Sequence, residues 1–288
     1  MGYHAAMTPT AITVFRSFRT PLQESWAHLS RPELLARWLG RAEVDLSSGG
    51  DVLLDTWNGD VIRGRVLAVV PPIRLEMIWR PSILGPDTHV AWKLEGDGPG
   101  SRLSVTHDGL RSEAERRCAR AFWQRALAAL RDALHGTTAA HEWGADLPII
   151  LRAAIPRAAT DLWSLISTGS GIEKWVAHVE RFDAAPGGEF RLTSKFQGRE
   201  VVEEGRIEEI VPTSRVALSW EWVGEGWGAP TRVEFMIEPE SSGSAVLVCH
   251  SGFERIDEAK RLTARRNYAG AWPDVLAGLK RLVAPVAV

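Results

Sequence analysis

Thirteen tryptophans, eight histidines, two tyrosines and two cysteines hold most of the specialised chemistry of this 288-residue chain. His107 and His250 stand out first. Each ends an alternating run, Leu103-Val105-His107 and Val246-Val248-His250, and so shares the parity of apolar neighbours. An imidazole on that face is either a hydrogen-bonded core group or a general acid/base inside a cavity. Neither histidine has a second histidine or a carboxylate at ligand spacing in its own segment, so no metal is expected. Thr56 and Ser194 share the inward parity and offer hydroxyls that could orient a ligand, with turn or ladder bonding as the competing reading. Cys118 and Cys249 read as buried, inert thiols: no acid-and-histidine arrangement lies near enough in sequence to activate them. Glu203-Glu204 and Glu208-Glu209 flank Arg206 and read as a solvated face. Gly224–Ala229 spells GxGxxA, but Pro230 and a strand follow instead of a helix, so the phosphate-binding helix terminus is missing. His141–Ala145 begins like HExxH and lacks the second histidine. With no GxSxG and no Walker A sequence, neither a catalytic signature nor a cofactor is indicated.

The aromatic residues suggest binding. Trp79, Trp92, Trp220 and Phe235 occupy inward strand positions, and Trp123 and Trp272 lie on helices. With Leu54, Met77, Phe122, Leu192, Phe196, Leu218 and Leu276 they form two candidate apolar linings. For each residue alone, core packing competes with ligand contact; flat rings in this number could stack on a planar or conjugated molecule.

What positions these residues is a duplication. Trp26 and Trp163 lie 137 residues apart, as do Trp38 and Trp175. Trp79 and Trp220 lie 141 apart, and Trp123 and Trp272 149 apart. Gly49-Gly50 matches Gly187-Gly188, Gly64-Arg65 matches Gly205-Arg206, Pro71 matches Pro212, and THDG (106–109) matches CHSG (249–252). So many matches in one order define two homologous domains, expected over 10–135 and 149–285, with a linker over 136–148. Each repeat begins with a strand (12–19; 149–154), continues through two short helices and a set of period-two strands, and closes with a longer helix. Cys118, Phe122, Ala126, Leu130 and Leu134 mark the first closing helix. Tyr268, Trp272, Leu276, Leu279 and Val283 mark the second, where Pro273 is expected to kink or restart it. Trp38 and Trp175 are expected to anchor the short helices.

Charge and composition narrow the function. A formal net charge of −2 supplies no field for a nucleic-acid backbone, so nucleic acid is not an expected partner. No apolar run reaches the roughly eighteen residues of a membrane span. The N-terminus lacks the blocks of a secretion signal, and Ala6 sits where a myristoylation motif starting at Gly2 requires Ser or Thr. Two cysteines cannot build a disulfide framework, which indicates a reducing, cytoplasmic setting. Only five lysines against twenty-nine arginines suggest a GC-rich genome.

The string PELLARWLG (32–40), the GG-x-[FV] strand start, the G-R-[VI] strand running into Val-Pro, and T-H-x-G or C-H-S-G before a final amphipathic helix together resemble the START/Bet v 1-like superfamily. Within it they are most similar to the branch related to the C-terminal domain of the heat-shock ATPase activator. The resemblance covers nearly the whole chain, twice. It implies an α+β fold of two tandem helix-grip domains, each a curved antiparallel sheet wrapped around a long C-terminal helix and enclosing an apolar cavity. It further implies a hydrophobic, elongated or aromatic small molecule as partner, held by a carrier, sequestration or accessory protein of bacterial secondary metabolism. The alternative is a didomain polyketide aromatase/cyclase using His107, His250, Tyr268 and Ser194, and a chaperone-ATPase-activating module ranks lower. A monomer is plausible, because one chain supplies both domains.

Overall fold

The computed structural model describes residues 10–80, 87–137 and 143–284. Gly2, Ala6, His141, Glu142 and the middle of the expected linker lie outside them. The described residues divide into two compact units, the first running to Gly144 and the second beginning at Ala145.

In the first unit, β1 (Ile12–Phe18) leads into α1 (Leu22–Ser30) and α2 (Pro32–Leu35). The strands β2 (Gly40–Val44), β3 (Asp51–Thr56), β4 (Val61–Val70), β5 (Arg74–Arg80), β6 (Thr88–Asp97) and β7 (Gly100–Asp108) follow, and α3 (Glu113–Leu134) closes the unit. The second unit repeats this order: β8 (Ile149–Ile155), α4 (Ala159–Ser167), α5 (Gly169–Ile172), β9 (His178–Phe182), β10 (Glu189–Phe196), β11 (Arg199–Val211), β12 (Arg215–Trp222), β13 (Thr231–Glu240), β14 (Gly243–Ser251) and α6 (Glu258–Val283). Each unit has one seven-stranded antiparallel sheet, ordered β1-β7-β6-β5-β4-β3-β2 and β8-β14-β13-β12-β11-β10-β9. Hairpin connections make such a meander antiparallel throughout, and only the first strand crosses to pair with the last. Both sheets are curved, and the long helix lies across the concave face. The register slips between Val66 and Ala68 on β4 and between Ile207 and Glu209 on β11, bulges of the kind that bend a strand and increase its twist. Gly64 and Gly205 sit one bend away. A Cβ there would lie 1.9 Å from the Ile78 carbonyl oxygen or 2.0 Å from that of Ser219, so these crossings tolerate no side chain.

The closing helices are held by their caps and their apolar stripes. Ser112 and Glu115 form a capping box on α3, and the Asp257 carboxylate accepts from the Ala259 N–H on α6. On α3 the buried stripe is Trp123, Ala126, Leu127, Leu130 and Ala133, while Cys118 and Phe122 lie at its edge and are only half-buried. Cys249, on the opposite face of β14 from Val248 and His250, is half-buried too, so the expectation of two buried thiols is corrected: on the helix the stripe is rotated from the pure four-residue spacing, because 3.6 residues make a turn, and on the strand the thiol has the outward parity. Pro273 stands inside α6, which runs from Glu258 to Val283 without a restart. Trp38 and Trp175 anchor their short helices in the same way, each indole N–H donating to a carbonyl of the preceding helix, His28 at 2.9 Å and Leu165 at 2.8 Å. The short edge strands β2 and β9 have no clear alternation in sequence; pairing to β3 and β10 defines them.

No described helix is long and apolar enough to cross a membrane.

Candidate functional site

His107 and His250 occupy matching places in two matching hydrogen-bond chains. In the second unit the Trp272 indole N–H donates to His250 Nδ1 (3.1 Å), His250 Nε2 lies 2.8 Å from Thr231 Oγ1, and Thr231 Oγ1 donates to the Trp220 carbonyl (2.8 Å). In the first, Trp123 reaches His107 Nδ1 (3.2 Å), His107 Nε2 lies 2.9 Å from Thr88 Oγ1, and Thr88 donates to the Trp79 carbonyl (3.1 Å). An indole nitrogen can only donate, so Nδ1 is the acceptor. The threonine proton is committed to a carbonyl, so Nε2 carries the imidazole proton. Each chain ties the closing helix to three successive strands. Burial lowers His107 to about 4, and burial with the nearby Arg265 charge lowers His250 to about 3. Both imidazoles are therefore neutral at ordinary pH, and any proton transfer through them would break a bond to tryptophan or threonine.

Around these chains the predicted aromatics gather. In the first unit Trp79 and Trp123 approach to 5.0 Å between ring centres, Trp92 and Trp123 to 6.2 Å, and Trp79 and Phe122 to 6.1 Å. Leu54 and Met77 are buried in the same core. Thr56 faces inward as expected, but its hydroxyl lies 2.5 Å from Asn58 Oδ1 and 2.8 Å from the Asp60 carbonyl, within the β3–β4 turn. Trp143, in the stretch expected to be linker, packs on Phe122 and donates to the Trp38 carbonyl (2.7 Å).

The second unit contains a cavity of about 390 Å³ between β10–β12 and α6. Of the residues singled out in sequence, Ser194, Phe196, Trp220, Tyr268 and Trp272 line it. Leu192, Leu218, Phe235, His250 and Leu276 are buried in the surrounding core instead. Val176, Ala177, Trp222, Val275, Glu203, Asn267, Gly270 and Ala271 complete the wall, and the exposed Lys195, Gln197 and Asp274 stand at the rim.

Glu203 is the residue that the sequence reading misplaced. Expected on a solvated face, it is 8% exposed and lies on the cavity wall. Its parity is that of Val201 and Ile207, which are also buried, and this alternation was the available signal. The adjacent acidic cluster obscured it: Glu204 does face solvent, paired with Arg191, and Glu208 and Glu209 pair with Arg232. Both Glu203 carboxylate oxygens lie 3.4 Å from Ser194 Oγ. Burial raises its pKa to about 7, against the opposing hydrogen bond from Ser194. Across the cavity the Tyr268 hydroxyl accepts from the Trp220 indole N–H (2.9 Å), which leaves its own proton free to donate. Burial, reinforced by Glu203, raises the Tyr268 pKa well above that of an ordinary phenol.

The repeat makes the polar pair asymmetric. The spacing that aligns Trp220 with Trp79 aligns Glu203 with Ile62, and the spacing that aligns Trp272 with Trp123 aligns Tyr268 with Ala119. Without a tyrosine at 119, the buried Trp79 indole N–H has no acceptor among the described residues. The second unit's wall thus combines a carboxyl, two hydroxyls and tryptophan faces, and Ile62 and Ala119 remove two of these from the equivalent positions of the first. Among the described residues no group of three or more His, Cys, Asp or Glu is arranged to hold a metal ion.

One of the solved structures similar to this chain shares this architecture over nearly its whole length. DynU16, a protein of the dynemicin biosynthetic locus, superposes with a TM-score of 0.77 at 22% identity, covering 96% of this chain and all (100%) of that one. CalU16 from Micromonospora echinospora matches at 28% identity and a TM-score of 0.40, over 44% of this chain and 66% of its own. The di-domain ARO/CYC StfQ of the steffimycin pathway matches at 14% identity and a TM-score of 0.37, over 94% of this chain and 96% of its own. No curated protein matches significantly. The family described as Activator of Hsp90 ATPase homolog 1-like protein matches twice, over residues 19–135 and 157–284, and the chain belongs to that family, carrying its helix-grip domain in tandem.

Proposed function

We propose that this protein binds a hydrophobic, aromatic small molecule in the cavity of its second domain, as a carrier, sequestering or accessory protein of bacterial secondary metabolism. One observation carries the reading: a cavity of about 390 Å³ walled by the rings of Trp220, Trp222, Tyr268, Trp272 and Phe196, with Ser194, Glu203 and Asn267 among them and Lys195, Gln197 and Asp274 at its rim. That size and that mixture are those of a small-molecule site. The first domain, with Ile62 and Ala119 in place of Glu203 and Tyr268, acts in this reading as a packed partner domain. The origin of DynU16 in a biosynthetic locus supports a metabolite as the ligand.

A second reading, turnover in the same cavity, draws on Glu203. A carboxyl whose pKa is near 7 can take and return a proton at neutral pH, and Tyr268 could hold a developing enolate, the elements of a cyclisation and dehydration. The histidines named in sequence do not serve that reading, since both their nitrogens are committed.

The experiment is a titration of the full chain with conjugated polyenes, aromatic polyketides, fatty acids and sterols, following tryptophan fluorescence and ligand absorbance together. Saturable quenching with a merely shifted ligand spectrum is the expected result. A ligand spectrum that changes progressively with time would move the assignment to the cyclase, and no response to any aromatic ligand would refute both readings.

A further inference from the structure

A carboxyl group removed from water is stable only with a countercharge, with several hydrogen bonds, or protonated. Glu203 has no ion-pair partner among the described residues; its carboxyl is met by Ser194 Oγ, 3.4 Å from both oxygens, and by the Glu203 backbone N–H. Rings surround it on the cavity side. Glu203 pairs with Trp222 across β11–β12, and Phe196 and Trp222 meet edge to face at 5.3 Å between centres. Tyr268 stands 6.1 Å from Trp222 and is stacked with Trp272 at 5.9 Å. Indole and phenol faces attract cations through their negative π-clouds, and a desolvated carboxylate beside them adds a full charge of the right sign. The outer surface shows the same preference in miniature, where the Arg199 guanidinium sits 5.6 Å from the centre of the Trp222 ring.

Resting on the assignment of this cavity as the ligand site, we propose that it selects a planar aromatic cation, an organic amine or iminium, whose positive charge lies against Glu203 and whose rings lie among Trp220, Trp222 and Trp272. The ligand supplies the countercharge that the fold omits. Tyr268, with its oxygen occupied by the Trp220 N–H, turns its proton to an acceptor elsewhere on the same molecule. The first domain has Ile62 at the corresponding position and no carboxyl there.

The probe is N-methylacridinium, a permanent three-ring cation, compared with acridine, which is neutral at pH 8. Calorimetric titration of the full chain at pH 8 is expected to show the cation binding about tenfold or more tightly than its neutral counterpart. Glu203→Gln is expected to remove that preference while retaining acridine binding, which also verifies that the variant is folded. In the wild type the cation's affinity should fall about tenfold or more from pH 8 to pH 5 as Glu203 takes up a proton. The other titratable groups facing the cavity are Lys195 on β10 and Tyr268 and Asp274 on α6, with Glu225 near Tyr268. Asp274→Asn should therefore keep the pH dependence. Equal affinities for the two probes, or a cation preference that survives Glu203→Gln, would overturn the proposal while leaving the cavity assignment standing. Failure of both probes to bind would overturn this proposal, and failure of every ligand in the broader panel would also remove the cavity assignment.

Discussion

Replacing Glu203 by glutamine should stabilise the unliganded protein, and only above pH 5. In the fold the carboxyl's pKa is raised from 4.5 to about 7. Because a tenfold change in proton affinity is worth about 1.4 kcal/mol, the whole rise is worth about 3 kcal/mol. The sign follows from proton counts: between pH 4.5 and 7 the native state holds a proton that the unfolded chain has released, so stability falls as pH rises through this window. The glutamine variant lacks that loss. It should match the wild type to within about 1 kcal/mol at pH 5 and exceed it by about 3 kcal/mol at pH 8, a rise of about 10 °C in the melting temperature of the second domain. The wild-type profile alone would hide the effect. His107 and His250, lowered from 6.5 to about 4 and about 3, contribute stability that is present above pH 6.5 and lost as pH falls. The difference between variant and wild type cancels the histidines. Urea unfolding of both proteins at pH 5, 6, 7 and 8 is the assay. A difference that is zero, or constant with pH, would refute the burial of an unpaired carboxyl.

Four further outcomes follow from the same contacts. His250→Phe strands the Trp272 indole N–H and should cost about 1–3 kcal/mol in urea unfolding, while flattening the second domain's loss of stability below pH 6.5. His107→Phe should do the same in the first domain through Trp123. Tyr268→Phe removes the acceptor of the buried Trp220 N–H and should cost about 1–3 kcal/mol by the same assay, with the loss measured at fixed pH 7. Gly205→Ala drives a methyl to 2.0 Å from the Ser219 carbonyl oxygen and should destabilise by about 1–3 kcal/mol or more, where alanine at the open Gly270 should cost nothing comparable.

Much of the fold was legible because duplication multiplied weak signals. A single tryptophan says little, but Trp38 with Trp175, Trp79 with Trp220 and Trp123 with Trp272 fixed the order of elements twice. In space Trp38 and Trp175, and likewise Trp123 and Trp272, prove to be equivalent anchors with equivalent hydrogen bonds, while Trp79 and Trp220 share a place but not a partner. Alternation also placed the inward faces of β3, β5, β7, β12 and β14, since a two-residue period is enforced by the pleat. The edge strands β2 and β9 escaped notice because an edge needs no apolar alternation to pair on one side. The inward parity of His107 and His250 was legible, but their hydrogen-bond partners were not. Their partners Thr88 and Thr231 lie nineteen residues away in sequence and meet them only through strand pairing. Glu203 escaped for a different reason: charge was read as exposure, although its parity with Val201 and Ile207 pointed inward. A polar residue on an apolar face is a place where local rules conflict, and such conflicts collect at binding sites.

The central claim, that the second domain's cavity is where a ligand binds, is tested most directly by filling it. Ala271 lines the cavity on α6 and is only partly buried, so Ala271→Trp can project a ring into the space without uprooting the core. The wild type and this variant would be titrated calorimetrically with the best ligand from the panel, after urea unfolding has confirmed equal stability. The account predicts saturable binding at one site per chain in the wild type and loss of that binding in Ala271→Trp. Undiminished affinity in the folded variant would place the ligand elsewhere and contradict the account.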